Sequence, residues 1–464
     1  MNHVRSRDIM TVHAKKVDKS GDLDRKQSAK KNLRNSFLRL TSNGVKNRII
    51  NADALAAGSA RADAISIAEA AYRSIDTDAI IRSRLVQSGS VLTVGGREYD
   101  LSKYSRVKVI GFGKVSCKAV QTIENLLKQR ISEGVAIDVH PGVCDIISVE
   151  RGTHPRPSPG NVVATEKILN MAKDVTDKDL FIAVVSGGGS SLLCWPSSEC
   201  EQGGRLYDDC KRVGSTIDET NLVRKHISDV KGGGLAKFLY PATVIGLIFC
   251  DVPGDHFEDV ASGPTYYDSS TIADAQAVLD KYGLKGYTLN ETPKEAHFFE
   301  RVNNVQIVSN TVALDAMSVE ANRLGYTTVN VGASIYDHPS KLIELMYNDL
   351  KPGIAVIAGG EPSYEVKTSG GKGGRCQYVA LEALKTIKDN DVLLAFSSDG
   401  IDNSDSAGAI ADKAALERSR AKDLSIDEHL NSLDTYGFFE QTGDLLFTGS
   451  TDSNVSDLFV LLRK

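Results

Sequence analysis

The stretch Val109-Ile110-Gly111-Phe112-Gly113-Lys114-Val115-Ser116 decides the reading of this chain. An apolar run from Val107 to Ile110 breaks into two glycines and a lysine, and a helical pattern from Ser116 to Arg130 follows at once. A buried strand, a tight turn and a crossover helix in that order form half of a βαβ unit. The same alternation continues outward. Further strands are expected at Val135 to Val139, Leu180 to Val185, Val244 to Phe249, Val305 to Ser309, Thr327 to Val331, Ile354 to Ala358 and Val392 to Phe396. Amphipathic stretches at 162–174, 311–324 and 341–350 are long enough to cross over a parallel sheet. The expectation is therefore α/β, with mainly parallel sheets. Ala64, Ile67, Ala68, Ala71 and Ile75 repeat at helical spacing and mark where the folded part starts, and Val94-Gly95-Gly96-Arg97 reads as a hairpin. Gly, Asn and Pro crowd together from Gly283 to Pro293, the expected domain joint.

Composition limits the function. The 464 residues are 41% hydrophobic and 25% charged, which excludes disorder as a whole and suits one large or two medium domains. A formal charge of −5 does not point to nucleic acid or a membrane surface, so the expected partner is a small molecule. Residues 1–40 differ from the rest, with 11 Lys and Arg against 4 Asp and no Glu. Residues 1–60 are expected to be a basic, flexible extension. They contain no apolar signal core, and Asp8, Asp18, Asp22 and Asp24 are unlike a transit peptide. No run of roughly 18 apolar residues occurs. Seven cysteines without a C-x-x-C pair suggest neither a disulfide framework nor a zinc knuckle, and a reducing cytoplasm is the expected compartment.

The chemistry-bearing motifs fall just after expected strands, where doubly wound proteins bind ligands. Ser186-Gly187-Gly188-Gly189-Ser190-Ser191 exposes main-chain amides beside two hydroxyls, the make-up of an anion nest. Lys231-Gly232-Gly233-Gly234 follows Arg224, Lys225 and His226, again joining positive charge to open backbone. In Cys250-Asp251-Val252-Pro253-Gly254-Asp255, two carboxylates around a Pro-Gly turn could ligate a hard cation, serve as a base, or simply close an Asx turn. Gly359-Gly360-Glu361-Pro362, Gly370 to Gln377 with Arg375 at its end, and Ser397-Ser398-Asp399-Gly400-Ile401-Asp402 complete the set. A planar arginine fork suits a carboxylate or a phosphate. There is no P-loop, G-x-S-x-G elbow or H-E-x-x-H helix. The G-x-G turn at Gly111, with Asp138 at the end of the next strand, partly matches a dinucleotide fingerprint, but Ser116 stands at the third glycine position.

Taken together, GFGKVSCKAV, SGGGSSLL, NLVRKHISDVKGGGLA, CDVPGDHFEDVASGPT, GGEPSYEV, GGKGGRCQ, SSDGIDNSDSAGAI and TGDLLFTGSTDSNVSDL resemble the glycerate 2-kinase family. This is the glycerate kinase with a MOFRL C-terminal domain, and some members carry the label hydroxypyruvate reductase. The resemblance runs from about residue 61 to the end. It implies a larger Rossmann-like three-layer domain at 61–290 and a C-terminal region at 291–464 that includes the MOFRL α/β domain, with the active site in the cleft between them. It implies that Lys114 and Arg375 are catalytic cations, and that Asp251, Asp255 and Asp399 border the same cleft. Gly187, Gly188, Gly189, Ser190 and Lys231 would hold the nucleotide. Cys376 stands where the family usually has Asn, and Asn403-Ser404-Asp405 where it usually has Gly-Pro-Thr. Asp452 stands where the family often shows Gly.

The implied reaction is phosphoryl transfer from MgATP to the C2 hydroxyl of D-glycerate, giving 2-phosphoglycerate. Lys114 would neutralise the phosphoryl group and Arg375 would grip carboxylate or phosphoryl. One of Asp251, Asp255 or Asp399 would take the proton, and Asp251 with Asp255 would hold Mg²⁺. A homodimer is compatible with this reading. The alternatives are a nicotinamide-dependent hydroxypyruvate reductase and a sugar-acid or nucleotide sensor without turnover.

Overall fold

The computed structural model describes residues 47–251, 254–366 and 370–464. The basic segment 1–40 lies outside them. All described residues belong to one compact unit. A small antiparallel meander, β1 (Leu85–Ser88), β2 (Val91–Val94) and β3 (Arg97–Asp100), includes the expected hairpin at Gly95-Gly96. The first large sheet contains β4 (Arg106–Phe112), β5 (Glu133–Asp138), β6 (Ile147–Arg151), β7 (Asp179–Val185), β8 (Thr243–Phe249) and β9 (Val302–Val308). Its spatial order is β6-β5-β4-β7-β8-β9 and every pairing is parallel. Chain order reverses between β4 and β7, the doubly wound arrangement that opens a crevice beyond the carboxyl ends of those strands. β7 is buried along its whole length, as a central strand covered on both faces must be.

The second sheet contains β10 (Thr327–Asn330), β11 (Ile354–Gly360), β12 (Asp391–Ser397), β13 (Gly408–Asp412), β14 (Leu445–Leu446) and β15 (Asp457–Arg463), in the order β10-β11-β15-β12-β13-β14. The expectation of mainly parallel sheets does not hold here, since only β10 and β11 pair in parallel. The reason is β15. The C-terminal run Leu458 to Leu462 enters antiparallel between β11 and β12, where its side chains are completely buried.

Two boundaries differ from the sequence reading. Residues 47–60, assigned to a flexible extension, are part of the body: Ile49 and Leu55 are buried, and the Ile50 amide donates to the Phe447 carbonyl at 2.7 Å. The helix Ser59–Ser74, assigned to the first domain, packs instead on β12, β15 and the helix Asn310–Arg323. There Tyr72 donates to the Ser397 carbonyl at 2.9 Å, and Arg61 forks onto Asp412 at 2.6 and 2.7 Å. Its apolar stripe needed a surface, and the second sheet supplied it. The break at 283–293 also falls before the end of the first sheet, because β9 still pairs with β8 beyond it. One apolar core, including Val109, Ile182, Ala68, Met317, Leu394 and Leu458, runs continuously from one sheet to the other.

Candidate active site

The crevice is built by three turns at the carboxyl ends of β4, β7 and β8. The Lys114 amide donates to the Gly187 carbonyl at 2.9 Å and the Ser186 amide to the Phe112 carbonyl at 3.1 Å, so the first two turns are stitched together. Gly113 has φ 123°, and a Cβ there would lie 2.1 Å from Ser186 Oγ, so only glycine fits this approach. Gly187 is equally constrained: its Cβ would lie 1.8 Å from Asp251 Oδ2. The three turns therefore bring Lys114 and Asp251 to one place, a small cavity also lined by Ser186, Phe249, Ser453 and Asn454. The last two come from the C-terminal segment, whose Ser456 Oγ donates to the Asp251 carbonyl at 2.9 Å. Withdrawal from water pushes the Asp251 carboxyl up to about 6, with Lys114 acting to lower it and Glu361 to raise it.

Arg375 comes from the second sheet's side and begins the helix Arg375–Ala383. Its Nε donates to Asp457 Oδ2 at 2.7 Å and its Nη1 to Glu361 at 3.3 Å, which holds the guanidinium charged. Burial pushes Asp457, the first residue of β15, up to about 6, while Arg375 acts to lower it. Glu361 acts on both Asp251 and Arg375, and so relates the two halves of the site. Glu361 lies in Gly359-Gly360-Glu361-Pro362, where no local pattern marks a role for it. Asp457 carries no local signal either, since its partner stands 82 residues earlier.

The other expected site residues differ in their surroundings, and Asp399 lies near enough to Asp457 to push its carboxyl up. Asp399 is oriented by its own turn, its Oδ1 accepting from Ser397 Oγ at 2.7 Å and the Ile401 amide at 2.9 Å. Asp402, on the same turn, accepts from the Cys376 and Gln377 amides at 3.1 and 2.8 Å and caps the Arg375 helix. Asp255 is exposed with a left-handed backbone (φ 63°), in surroundings unlike those of half-buried Asp251. The expected Asp251 and Asp255 metal pair thus combines a half-buried carboxylate with an exposed one. A cluster able to offer three ligand atoms is His256, Glu258 and Asp259, without either aspartate.

In the Gly187 to Gly189 turn part of the polar surface is engaged by the protein itself. The Gly189 amide donates to the Ser186 carbonyl at 3.1 Å, its Cβ position lies 2.7 Å from Ala261 Cβ, and Ser190 Oγ meets Ser262 Oγ at 3.0 Å. Lys231 does not reach the crevice. It is completely buried, donates to the Leu193 carbonyl at 2.8 Å and is ion-paired with Glu199, so it is a core charge rather than a nucleotide ligand. Asp138 is likewise committed, accepting from the Cys117 and His140 amides at 2.9 and 3.0 Å, which removes the ribose-binding acid from the dinucleotide reading.

A doubly wound crevice closed by a second α/β sheet, with a lysine on one side and a carboxylate-braced arginine on the other, defines a two-sheet enzyme acting on small anionic reactants. Comparison with known proteins narrows the class. Residues 63–295 match a family model described as a domain of unknown function, DUF4147, and residues 354–457 match the MOFRL family. The chain is 31% identical over 430 residues to a glycerate 2-kinase of Pyrococcus horikoshii, covering 84% of this chain and 94% of that one. It is 32% identical over 387 residues to the D-glycerate 2-kinase of Thermotoga maritima, covering 76% and 90%. A putative hydroxypyruvate reductase of Agrobacterium vitis is 31% identical over 392 residues, covering 77% and 87%. The crystal structure of the Thermotoga maritima glycerate kinase superposes with a TM-score of 0.77 at 28% identity, covering 87% of this chain and 99% of that one. The chain belongs to the glycerate 2-kinase family.

Proposed function

We propose that this enzyme transfers the γ-phosphoryl group of ATP to the C2 hydroxyl of D-glycerate, giving 2-phosphoglycerate and ADP. The observation that carries the reading is the convergence of Lys114 and Asp251 at the switch point, with Arg375 related to them through Glu361. The C2 oxygen attacks the γ-phosphorus, the bond from that phosphorus to the β,γ-bridging oxygen breaks, and ADP leaves. The hydroxyl proton passes to a carboxylate, for which Asp251 is best suited: its carboxyl is pushed to about 6, close to neutral pH, while one oxygen of the Asp399 carboxylate is taken by its own turn. Lys114 is exposed and has no carboxylate within ion-pair distance among the described residues, so its ammonium is available to the transferred phosphoryl group. Arg375 is held in orientation by Asp457 and Glu361, and its fork faces the anionic oxygens of glycerate or of the phosphoryl group.

We further propose that a divalent cation such as Mg²⁺, bound together with the nucleotide, would supply charge compensation for its phosphates. A cytoplasmic location suits a cysteine set that forms no disulfide among the described residues, in which no helix is long and apolar enough to cross a membrane. The test is purified protein with D-glycerate, ATP and Mg²⁺, with ADP measured and the phosphorylated carbon identified by NMR. 2-Phosphoglycerate is expected. NAD(P)H oxidation by hydroxypyruvate with no ADP from ATP and glycerate would overturn the reading in favour of a reductase, and turnover in excess EDTA would remove the metal.

A further inference from the structure

Beside Lys114 lies a second cation that none of the roles above uses. Arg224 sits near the end of the helix Ile217–His226 and is half-buried. Its Nη1 donates to Asn221 Oδ1 at 2.7 Å, and no carboxylate lies within ion-pair distance of it among the described residues. Glu199, whose charge it feels, is already taken by Lys231. A guanidinium drawn partly out of water costs free energy unless an anion meets it, and here the protein supplies none.

The surroundings of Arg224 are arranged rather than incidental. Asn221 Oδ1 also accepts from Ser262 Oγ at 3.3 Å, and Ser262 Oγ meets Ser190 Oγ at 3.0 Å. These contacts link Arg224 to the glycine turn after β7. In that turn, a Cβ on Gly188 would lie 3.2 Å from both Lys114 Cγ and His154 Cδ2, so Lys114 and His154 flank the same glycine. Ser262 is aimed by a backbone that L-residues adopt reluctantly: Ala261 and Ser262 are consecutively left-handed, at φ 53° and 60°. Such strained positions cluster at ligand sites. His154 is held well below its ordinary value, at about 4, by burial and by the charges of Lys114 and Arg224, which places all three in one positive field.

We propose that Arg224, backed by Asn221, Ser262 and Ser190 and lying beside His154 and Lys114, is the subsite for a second anionic oxygen group of the reactants. The chemistry it recognises is a carboxylate or phosphate whose oxygens take the arginine's remaining N–H donors and the serine hydroxyls. This rests on the kinase reading, in which the reactants supply both groups: the carboxylate of D-glycerate and the phosphates of ATP. Arg375 and Arg224 would then hold different anionic ends, one from each side of the crevice.

Calorimetric titration of D-glycerate alone, and of a non-hydrolysable ATP analogue alone, tests this in the wild-type protein and in Arg224→Gln, Arg224→Lys and Arg205→Gln. Arg205, an exposed cation over Tyr287, serves as the control. The Kd for one of the two ligands is expected to rise roughly 10- to 100-fold in Arg224→Gln, the size of a lost charge-assisted hydrogen bond. Arg224→Lys should recover part of the loss and Arg205→Gln should show none. The ligand that loses affinity identifies the source of the anion. A folded Arg224→Gln protein that binds both ligands with wild-type Kd overturns the proposal. If that variant does not fold, Ser262→Ala decides in the same way, with weaker binding of one ligand expected and unchanged binding of both overturning it. Wild-type protein that binds these anions through Arg224 yet makes no ADP from ATP and glycerate would retain the subsite and sink the kinase reading.

Discussion

Two glycine triplets in this chain look alike as text and differ completely in space. Gly187 to Gly189 turns out of β7 into a crevice in which Lys114 is exposed and Asp251 fills the place of a side chain. Gly232 to Gly234 follows a lysine that is wholly buried against Glu199 and the Leu193 carbonyl. There a Cβ on Gly233 would meet Phe299 at 2.6 Å, and one on Gly234 would meet the Asp229 carbonyl at 2.1 Å. Both triplets are glycine because something approaches closely. In the first it is the Asp251 carboxylate, which shares a small cavity with Lys114, and in the second it is the protein's own packing. A lysine next to a glycine run is therefore not by itself a phosphate site. Whether its charge is already neutralised separates the two.

The largest expected effect comes from breaking the buried member of the comparison. Lys231→Met should cost about 3–5 kcal/mol of stability, since Glu199 would remain buried without its cation. Urea unfolding measures the loss, and KM for ATP, taken per folded molecule, should stay at the wild-type value. A stable Lys231→Met protein with a much raised KM for ATP would move Lys231 into the nucleotide site.

Lys114→Ala should do the reverse, cutting kcat roughly 10²-fold or more while leaving the melting temperature nearly unchanged, because an exposed ammonium contributes little to folding. Steady-state kinetics and a thermal melt on the same sample are sufficient. Full activity would remove Lys114 from the mechanism.

Arg375→Lys tests geometry instead of charge. The ammonium keeps the positive charge but cannot bond Asp457 and Glu361 while presenting a planar fork, so kcat should fall on the order of tenfold or more. Asp457→Asn should give a smaller loss of the same kind, and a shift in kcat without a matching shift in melting temperature would mark Asp457 as a positioning residue.

The smallest effect is on pH. Asp251 has a folded value of about 6, above its ordinary value of 3.8, so the fold binds this proton more tightly than the unfolded chain does. Its contribution to stability is then present at acid pH and is lost as pH rises through about 6. Asp251→Asn, with no charge to bury, should melt higher than wild type at pH 7.5 and nearly level with it at pH 4. The wild-type kcat/KM should fall as pH drops below about 6, when the base becomes protonated. A wild-type profile flat from pH 5 to 8 would exclude Asp251 as the base.

The sequence by itself determined the strand-turn-helix units of the first sheet, because each is a local pattern: an apolar run long enough to be buried on both faces, then glycine, then helical spacing. It also located Lys114, Asp251 and Arg375, whose motifs lie at strand or helix ends. Which charges are already neutralised follows from folding of the whole chain. Lys231 with Glu199, Arg375 with Asp457, and Asp138 with the Cys117 amide are pairings across 32, 82 and 21 residues, and no local signal carries them. The structure likewise placed β15 in the middle of the second sheet and the helix Ser59–Ser74 on that sheet's face. An apolar run or stripe states that it must be covered. Its partner is chosen by the shape and burial of surfaces that exist only once the whole chain has folded.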